Sequence, residues 1–424
     1  MSKKIKVLAY CDSPTCATGF ATVSRNILMG LHNSGKYSVD ILGINYWGDP
    51  HEFPFRIWPV GFNNDNDPYG RKKAFNMIRQ MDFDILFVLQ DTFILDFLPE
   101  LHNHMRTNGK DFSSIVYFPI DGTPKRQWLD NVISCDYVVS YTEYGKAQVQ
   151  GVLGDLKKDI RVIPHGANTN DFKVIDKKVI EKFRSQYFGS NNDDKFVITN
   201  VNRNQRRKDI PRTIQAFKEF KKQVPNSILY LHMAAKDHQG WDLKEVCSSY
   251  GLDNTKDVLL PDGFSPNQGF PIEIVNLIYN SSDCLVSSTL GEGFGLSWIE
   301  AMATKTPVIM PDNTAMSEFI TEDKGYLIKS GGEPNLYTVL TYDNEVLRPL
   351  VDVNDMVNKF LEVYNNPKEA KTRAENAYNY VHTKMSWQDS IVPMWVELFD
   401  EAYLKIKEGN FVSDDATTLS TEMI

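Results

Sequence analysis

Two glutamates eight residues apart, Glu292 and Glu300, are the residues of this sequence best placed to do chemistry. Three glycines, Gly291, Gly293 and Gly295, surround the first of them. An apolar run precedes these glycines and a helix-like segment follows them, so the pattern predicts a strand, a loop and a helix. Glycines let a backbone approach a ligand, and a helix start offers free N–H groups to an anion. Because carboxylates only accept hydrogen bonds, the segment predicts a site for a hydroxyl-rich, phosphate-bearing ligand.

Short apolar runs that could position this site recur along the whole chain. Between most of them lie helix-like intervals, an alternation typical of doubly wound α/β domains with parallel sheets. The expected strands are 5–11, 39–47, 83–90, 114–120, 137–142 and 161–164, then 196–201, 228–233, 258–260, 284–288, 308–310 and 326–328. Since such sheets bind ligands at the carboxyl ends of their strands, the loops that follow the strands are the candidate site.

The composition describes an ordinary globular protein of 424 residues, with 42% hydrophobic and 24% charged residues, and two domains are expected. A formal charge of −9 disfavours non-specific nucleic-acid binding, although basic groups at 71–73, 125–126 and 206–208 leave a local basic groove open. Five cysteines without metal spacing predict reduced thiols and a cytoplasmic protein. No apolar run is long enough to predict a transmembrane segment. The sequence does not indicate an oligomeric state.

The run Glu292-Gly-Phe-Gly-Leu, three further residues and Glu300-Ala-Met-Ala resembles the Glu-x7-Glu motif of the retaining, nucleotide-sugar-dependent glycosyltransferases of family 4. The resemblance implies that Glu292 contacts hydroxyls of the donor sugar and that Glu300 contacts the ribose. It also implies that the backbone of Phe294, Gly295 and Leu296 contacts the sugar and the diphosphate. An acidic helix start in contact with solvent is the alternative interpretation.

A cationic segment, Asn202-Arg203-Asn-Gln-Arg-Arg-Lys208-Asp209, follows the first strand of the second half. Arg can bind phosphate oxygens in a bidentate manner, and Lys acts as a point charge. The spacing resembles the family's Gly-Arg-Leu-(three residues)-Lys-Gly, which implies that Arg203 and Lys208 contact the donor diphosphate. Both glycines of that pattern are replaced here, by Asn202 and Asp209. A solvated basic loop is the alternative.

Loops of the first half carry the remaining candidates. Gly19 and Phe20 stand where the family has a Gly-Gly pair against the donor phosphate and the acceptor, and Asp121 stands where the family often has a His near the donor sugar. The segment around His165 resembles the family's Ile-Pro-Asn-Gly-Val-Asp and makes His165 a candidate substrate-binding residue. In the second half, Gly263 lies in a segment that resembles the loop at the nucleotide base. Plain turns are the alternative for the segments of Gly19 and Asp121.

A long aromatic connection follows the second strand. Its side chains Trp47, Phe53, Phe55 and Trp58 could stack on an acceptor or could form a small core beneath the loop, and the sequence does not choose between them.

The resemblance extends over almost the whole chain. It implies a GT-B fold with an acceptor-side domain at 1–172, a nucleotide-sugar-binding domain at 173–384, a helix at 385–408 that returns to the first domain, and a disordered tail at 409–424. The implied donor is a nucleoside-diphosphate sugar of the UDP or GDP type, with no metal or other cofactor. The acceptor stays open between a glycan, a lipid-linked acceptor, a protein and a modified nucleic-acid base.

Three other functions stay possible at this stage. A sugar-nucleotide epimerase or a phosphorylase would use the same two-domain architecture, although no Lys stands out for the pyridoxal Schiff base that such a phosphorylase usually needs. A non-catalytic sugar-nucleotide-binding or glycan-binding subunit would come from a different class, and the complete set of Arg203, Lys208, Glu292 and Glu300 disfavours it.

Overall fold

The first domain is built on a seven-stranded parallel sheet. The computed structural model describes residues 3–62, 66–156, 158–189, 194–264, 269–341, 343 and 345–408. The strand order is β3-β2-β1-β4-β5-β6-β7. All five residues of β4 are buried, as expected for a central strand with helices on both faces. The strands are β1 (Ile5–Asp12), β2 (Tyr37–Ile44), β3 (Arg56–Gly61), β4 (Ile85–Leu89), β5 (Ser113–Phe118), β6 (Tyr137–Ser140) and β7 (Ile160–Val162).

Helices connect these strands and cover the sheet. The first helix begins where the Thr18 side chain accepts a hydrogen bond from the backbone N–H of Ala21, at 3.0 Å, so a capping residue fixes the start of the element that follows β1. The helices of this half are α1 (Gly19–Asn33), α2 (Arg71–Gln80), α3 (Leu98–Thr107), α4 (Arg126–Asp130) and α5 (Glu143–Leu153), and α6 (Lys177–Tyr187) leads to the second domain. A short 3-10 turn, Thr92–Ile94, follows β4.

The second domain has a six-stranded parallel sheet of order β10-β9-β8-β11-β12-β13. Its strands are β8 (Phe196–Val201), β9 (Ser227–His232), β10 (Val258–Leu259), β11 (Cys284–Val286), β12 (Val308–Pro311) and β13 (Tyr326–Ile328). Its helices are α7 (Ile210–Gln223), α8 (Leu243–Ser249), α9 (Ile272–Asn280), α10 (Leu296–Ala303), α11 (Met316–Phe319), α12 (Val353–Asn365) and α13 (Pro367–Lys384). Two doubly wound Rossmann-like domains are therefore confirmed.

The C-terminal segment returns to the first domain, as expected. A π-helical turn at Trp387–Ile391 leads into α14 (Val392–Glu408). The Trp395 ring packs edge-on against Phe87 of β4, with centroids 5.5 Å apart. Near the end of α14, Arg161 Nη1 lies 2.6 Å from Glu401 Oε2. Aromatic packing and an ion pair thus hold the last described helix on the first sheet.

The aromatic connection contains a strand that the sequence did not predict, since β3 runs through it. Phe53 and Phe55 stack at 5.6 Å and join the core, and Trp58 packs against a second part of it. Trp47 differs, because it is 64% exposed and stacks on Phe62 at 4.2 Å. The small-core interpretation therefore holds for three of the four aromatic side chains.

A second unpredicted element is the antiparallel hairpin of β14 (Tyr337–Val339) and β15 (Leu347–Pro349). It lies outside both sheets, and its strands of three residues each are too short to form the apolar runs that marked the others. The domain boundary near Phe172 stays a prediction, and the expected tail lies outside the described residues. None of the described helices is both long and apolar enough to cross a bilayer.

Candidate active site

The glycine loop lies between β11 and α10, where it meets the first domain. Gly295 has a φ of 87°, a backbone conformation that favours glycine, and directly precedes α10. A Cβ atom on Gly293 would lie only 2.5 Å from Pro119 Cβ of the first domain, so no larger residue fits this approach. No side chain of the described residues caps α10, whose first turn is therefore available to an anion. The loop thus combines a close approach of the two domains with an uncapped helix start.

Glu292 is held between two cations of the cationic segment. Lys208 Nζ forms an ion pair with Glu292 Oε1, and Arg207 Nη1 lies 3.3 Å from Glu292 Oε2. The backbone N–H of Glu292 donates to Thr314 Oγ1 at 3.0 Å. Burial opposes ionisation of this carboxyl group, but Lys208 and Arg207 outweigh burial and lower its pKa to about 2. Glu292 is therefore a carboxylate throughout the physiological pH range.

Glu300 has a different environment, one turn into α10. Its Oε2 atom accepts a hydrogen bond from Tyr279 Oη at 2.8 Å. Burial raises the pKa of Glu300 to about 7, and the Tyr279 hydrogen bond offsets only part of that effect. No ion pair of Glu300 is present among the described residues. The two glutamates of the motif therefore differ in charge near neutral pH.

Asp121 of the first domain meets cations of the second domain. Arg207 Nε lies 3.3 Å from Asp121 Oδ2, and Arg348 Nη1 lies 3.1 Å from Asp121 Oδ1. Burial lowers the pKa of Arg207, but Glu292 and Asp121 raise it further, so the guanidinium stays charged. Arg207 therefore connects the glutamate of the glycine loop with the aspartate on the opposite side of the cleft.

Two further carboxyl groups lie at the carboxyl ends of β1 and β4. Asp12 accepts hydrogen bonds from Thr18 Oγ1 at 2.6 Å and from Gln90 Nε2 at 3.2 Å, and burial raises its pKa. Burial, and next to it the charge of Asp121, raise the pKa of Asp91 to about 7, although Arg207 counteracts them. These groups form an acidic wall on the first-domain side of the cleft, and one of them titrates near neutral pH.

The other predicted site residues lie at varying distances from this centre. Arg203 Nε is 3.2 Å from Asp237 Oδ2, and its side chain is 45% exposed. Gly19 begins α1 opposite the glycine loop, since a Cβ atom there would lie 3.9 Å from Leu296 Cδ1. Its neighbour Phe20 packs against the core as a half-buried side chain. Gly263 lies after β10 with a φ of 66°, and no atom of the described residues lies within 4 Å of the position of an added Cβ atom.

His165 is buried at the junction of the two domains. Its Nδ1 atom is 2.8 Å from Tyr117 Oη, and its ring centroid is 4.7 Å from that of Phe294 in the glycine loop. Burial lowers the pKa of His165 to about 3, so the ring is neutral. Direct contact with substrate stays a prediction for His165. The structure shows a packing contact between the His165 ring and the Phe294 ring of the glycine loop.

Arg207, Arg348 and Asp91 belong to the site but were not among the predicted residues. Arg207 lies between the predicted Arg203 and Lys208, so the concentration of cations could have indicated it. Asp91 follows a buried strand at its carboxyl end, where polar residues of doubly wound sheets meet ligands. Arg348 has no local signal, because it lies on the unpredicted hairpin. Among the described residues, no group of three or more His, Cys, Asp or Glu side chains could hold a metal ion.

Parts of the sequence are similar to those of known glycosyltransferases. Residues 182–380 match the family described as Glycosyl transferases group 1. The alpha-1,3/1,6-mannosyltransferase ALG2 of Dictyostelium discoideum is 26% identical over 258 residues, which cover 55% of this chain and 53% of that protein. This chain covers between 20% and 66% of the length of the curated relatives that it matches.

Solved structures share the fold over nearly the whole chain. Sucrose-phosphate synthase from Thermosynechococcus elongatus is 18% identical with a TM-score of 0.73, and the match covers 95% of this chain and 100% of that one. Anabaena HepE in complex with UDP and glucose is 16% identical with a TM-score of 0.68, over 94% and 100% of the two chains. Residues 182–380 are therefore similar to the Glycosyl transferases group 1 family, and they lie within a two-domain GT-B fold.

Proposed function

We propose that the protein is a retaining glycosyltransferase of the family 4 type, which moves a sugar from a nucleoside-diphosphate sugar to an acceptor hydroxyl without a metal ion. One observation carries this proposal: an ionised Glu292 lies between Lys208 and Arg207 at the start of α10. A fixed carboxylate beside two cations and an uncapped helix start suits a ligand that carries hydroxyl groups at one end and a diphosphate at the other.

The second domain supplies the donor contacts in this proposal. Glu292 accepts hydrogen bonds from the donor sugar, and Glu300 with Tyr279 contacts the ribose. Negative charge accumulates on the departing diphosphate as the glycosidic bond breaks. In this proposal Lys208, Arg207 and the first N–H groups of α10 stabilise that charge, which is the role that a divalent ion would otherwise have.

The first domain supplies the acceptor side. The acceptor hydroxyl attacks the face from which the diphosphate leaves, and its proton passes to the departing phosphate. Asp121 accepts a hydrogen bond from a hydroxyl group in the cleft, and the two arginines that contact it hold it in one orientation. A UDP sugar is the first donor to test, because HepE of the same fold binds UDP and glucose. We also propose a cytoplasmic location, which agrees with the five free cysteines.

A donor and acceptor screen tests the proposal directly. The protein is incubated with UDP and GDP sugars and with glycan, lipid-linked, protein and modified-base acceptors, and products are detected by mass. We expect transfer with retained anomeric configuration, read by NMR, and undiminished activity in EDTA. Inverted configuration would contradict the proposed stereochemistry, and loss of activity in EDTA with recovery in Mg²⁺ would contradict metal independence. Interconversion of the donor without transfer would indicate an epimerase.

A further inference from the structure

The β14–β15 hairpin reaches from the second domain to the loop that carries Asp121. A bridge between Ser330 and Val351 closes its base. Toward its tip, Lys125 of the first domain forms an ion pair with Glu345 at 2.5 Å. A Cβ atom on Gly122 would lie 2.7 Å from Val346 Cγ1, so the hairpin packs directly on the Asp121-Gly122 turn. The hairpin is therefore an arm between the two domains.

Arg348 is the side chain through which this arm acts on Asp121. It is only 3% exposed, and Asp343 of the same hairpin holds its guanidinium at 2.7 Å (Nε to Oδ2) and 3.1 Å (Nη2 to Oδ1). The remaining nitrogen, Nη1, donates to both the carboxylate and the backbone carbonyl of Asp121. Arg348 thus fixes the backbone and the side chain of Asp121 together.

The other oxygen of Asp121 faces Arg207, so each carboxylate oxygen has one guanidinium from the second domain. Side chains around a reacting centre act best when neighbours lock their orientation. A carboxylate on a loop that had neither contact would sample several orientations. The two arginines reach Asp121 only when the two domains are close, so the orientation of Asp121 depends on cleft closure.

We propose that Arg348 is a positioning residue. The hairpin places Arg348 across the closed cleft, where it orients Asp121 for glycosyl transfer. This inference rests on the proposed function. Arg348 acts through Asp121, and closure of the cleft assembles this part of the site. A loss of Arg348 therefore slows the transfer step and leaves donor binding by Lys208 and Glu292 in place.

Kinetics with Arg348→Ala and Arg348→Lys test this inference. We expect kcat to fall by roughly tenfold to a hundredfold in Arg348→Ala, as for a misplaced reacting group, while UDP affinity stays unchanged. Arg348→Lys should recover part of the activity, since a Lys can form one of the contacts. Lys125→Ala is the matched control, because it removes the exposed ion pair with Glu345 of the arm and leaves the contacts between Arg348 and Asp121 in place. Equal kcat values for Arg348→Ala and the wild type would overturn the proposal.

A double-mutant cycle separates positioning from general destabilisation. In the Asp121→Asn background, Arg348→Ala should cause little further loss of kcat, because both substitutions disable the same group. Independent, multiplying losses would overturn the proposal. Gly122→Ala should lower kcat, because its Cβ atom would push the hairpin away without a change in charge. Gly151→Ala on α5, where an added Cβ atom meets open space, should leave kcat unchanged.

Hydrogen exchange at residues 119–125 provides a measurement that needs no turnover. We expect faster exchange in Arg348→Ala than in the wild type and no change in Lys125→Ala. Unchanged exchange would overturn the Arg348 contact even if the enzyme is active. A wild type that transfers no sugar from any donor would instead overturn the proposed function, and the positioning role with it, while faster exchange would still establish the contact.

Discussion

Carboxyl groups at the ends of the two sheets have opposite environments. At the second sheet, Lys208 and Arg207 surround Glu292 and hold its pKa near 2. At the first sheet, burial and the neighbouring Asp121 raise the pKa of Asp91 to about 7. One end of the cleft therefore carries a permanent charge, whereas the other gains or loses a proton near neutral pH.

The difference separates two tasks within one site. A permanent carboxylate between cations suits a donor whose charge and hydroxyl pattern do not vary with pH. A group that titrates near neutral pH gives the acceptor side a hydrogen-bonding partner whose charge changes with pH. Glu292 is therefore the constant carboxylate of the second sheet, where pH should act through Glu300, and Asp91 is the group through which pH should act at the first sheet.

The largest effect is expected at Glu292. Its loss removes a charged hydrogen bond to the ring that gains positive charge, so Glu292→Gln should lower kcat by up to about a hundredfold, equivalent to roughly 3 kcal/mol. Steady-state kinetics with a saturating donor measure this. The exposed Glu322 offers a matched control, since Glu322→Gln makes the same chemical change at a position in contact with solvent. An increase in the donor KM without a change in kcat would show that Glu292 contacts the bound donor and the transition state equally.

Glu300 should give the donor site its only strong pH dependence. Because its pKa is raised to about 7, the carboxylate that we propose to accept ribose hydrogen bonds forms as the pH rises through 7. UDP affinity should therefore increase by up to about tenfold between pH 6 and pH 8. Calorimetric titrations at several pH values measure this.

Two variants serve as references for that titration. Glu300→Gln should bind UDP weakly and with a flat pH profile, whereas Glu292→Gln should keep the wild-type affinity and profile, because its carboxylate contacts the sugar and not the diphosphate. The terminal phosphate of UDP also titrates in this pH range, but it contributes equally to the pH profiles of the wild type and of both variants. Equal affinities in the two variants would mean that the donor lies differently along the glycine loop.

Asp91 should affect the acceptor and the stability together. Its raised pKa means that the folded protein favours the protonated form, so the stability it contributes is present below its unfolded pKa and is lost as the pH rises through about 7. Asp91→Asn resembles the protonated form, and it should be more stable than the wild type at pH 8 by about 1 kcal/mol once solvent screening is allowed for. Thermal unfolding at pH 5 and pH 8 measures the difference.

Asp91→Asn should also raise the acceptor KM by about fivefold, because one hydrogen bond to the acceptor is lost. The affinity for UDP should not change. A fall in UDP affinity would place Asp91 on the donor side and would remove the contrast between the two sheets.

The sequence indicated the candidate residues at the carboxyl end of the second sheet more fully than those at the carboxyl end of the first sheet. Glu292, Glu300 and Lys208 lie in short runs whose spacing resembles a known family, so local patterns were enough. Asp91 is a single polar residue after a strand, with no motif around it. Its raised pKa depends on the distance to Asp121, which only the folded chain determines.

Arg348 shows the limit of the sequence more clearly. It contacts Asp121 across 227 residues of sequence, and its hairpin has no apolar periodicity that would mark it as an element. The same limit explains β3, whose residues predicted a loop because aromatic and proline residues interrupt the run. The parallel sheets were predictable, since buried strands of such sheets are continuous apolar segments.

The smallest effect is expected at Arg203, where the family resemblance and the local contacts differ. Arg203 is 45% exposed and pairs with Asp237, so it must give up this partner in order to bind a diphosphate. Much of the gained charge interaction is therefore offset, and exposed ion pairs contribute little. Arg203→Ala should weaken UDP binding by only about threefold, equivalent to roughly 0.6 kcal/mol, and should leave UMP binding unchanged.

Arg206→Ala is the matched control for that measurement, because Arg206 is an exposed arginine in the same segment. Its UDP affinity should equal that of the wild type. A hundredfold loss in Arg203→Ala would show that Arg203 leaves Asp237 and becomes the main contact of the diphosphate, which would reduce the part assigned to Lys208. Identical affinities in the two variants would show that Arg203 does not contact the donor, and that the cations beside Glu292 bind the diphosphate without it.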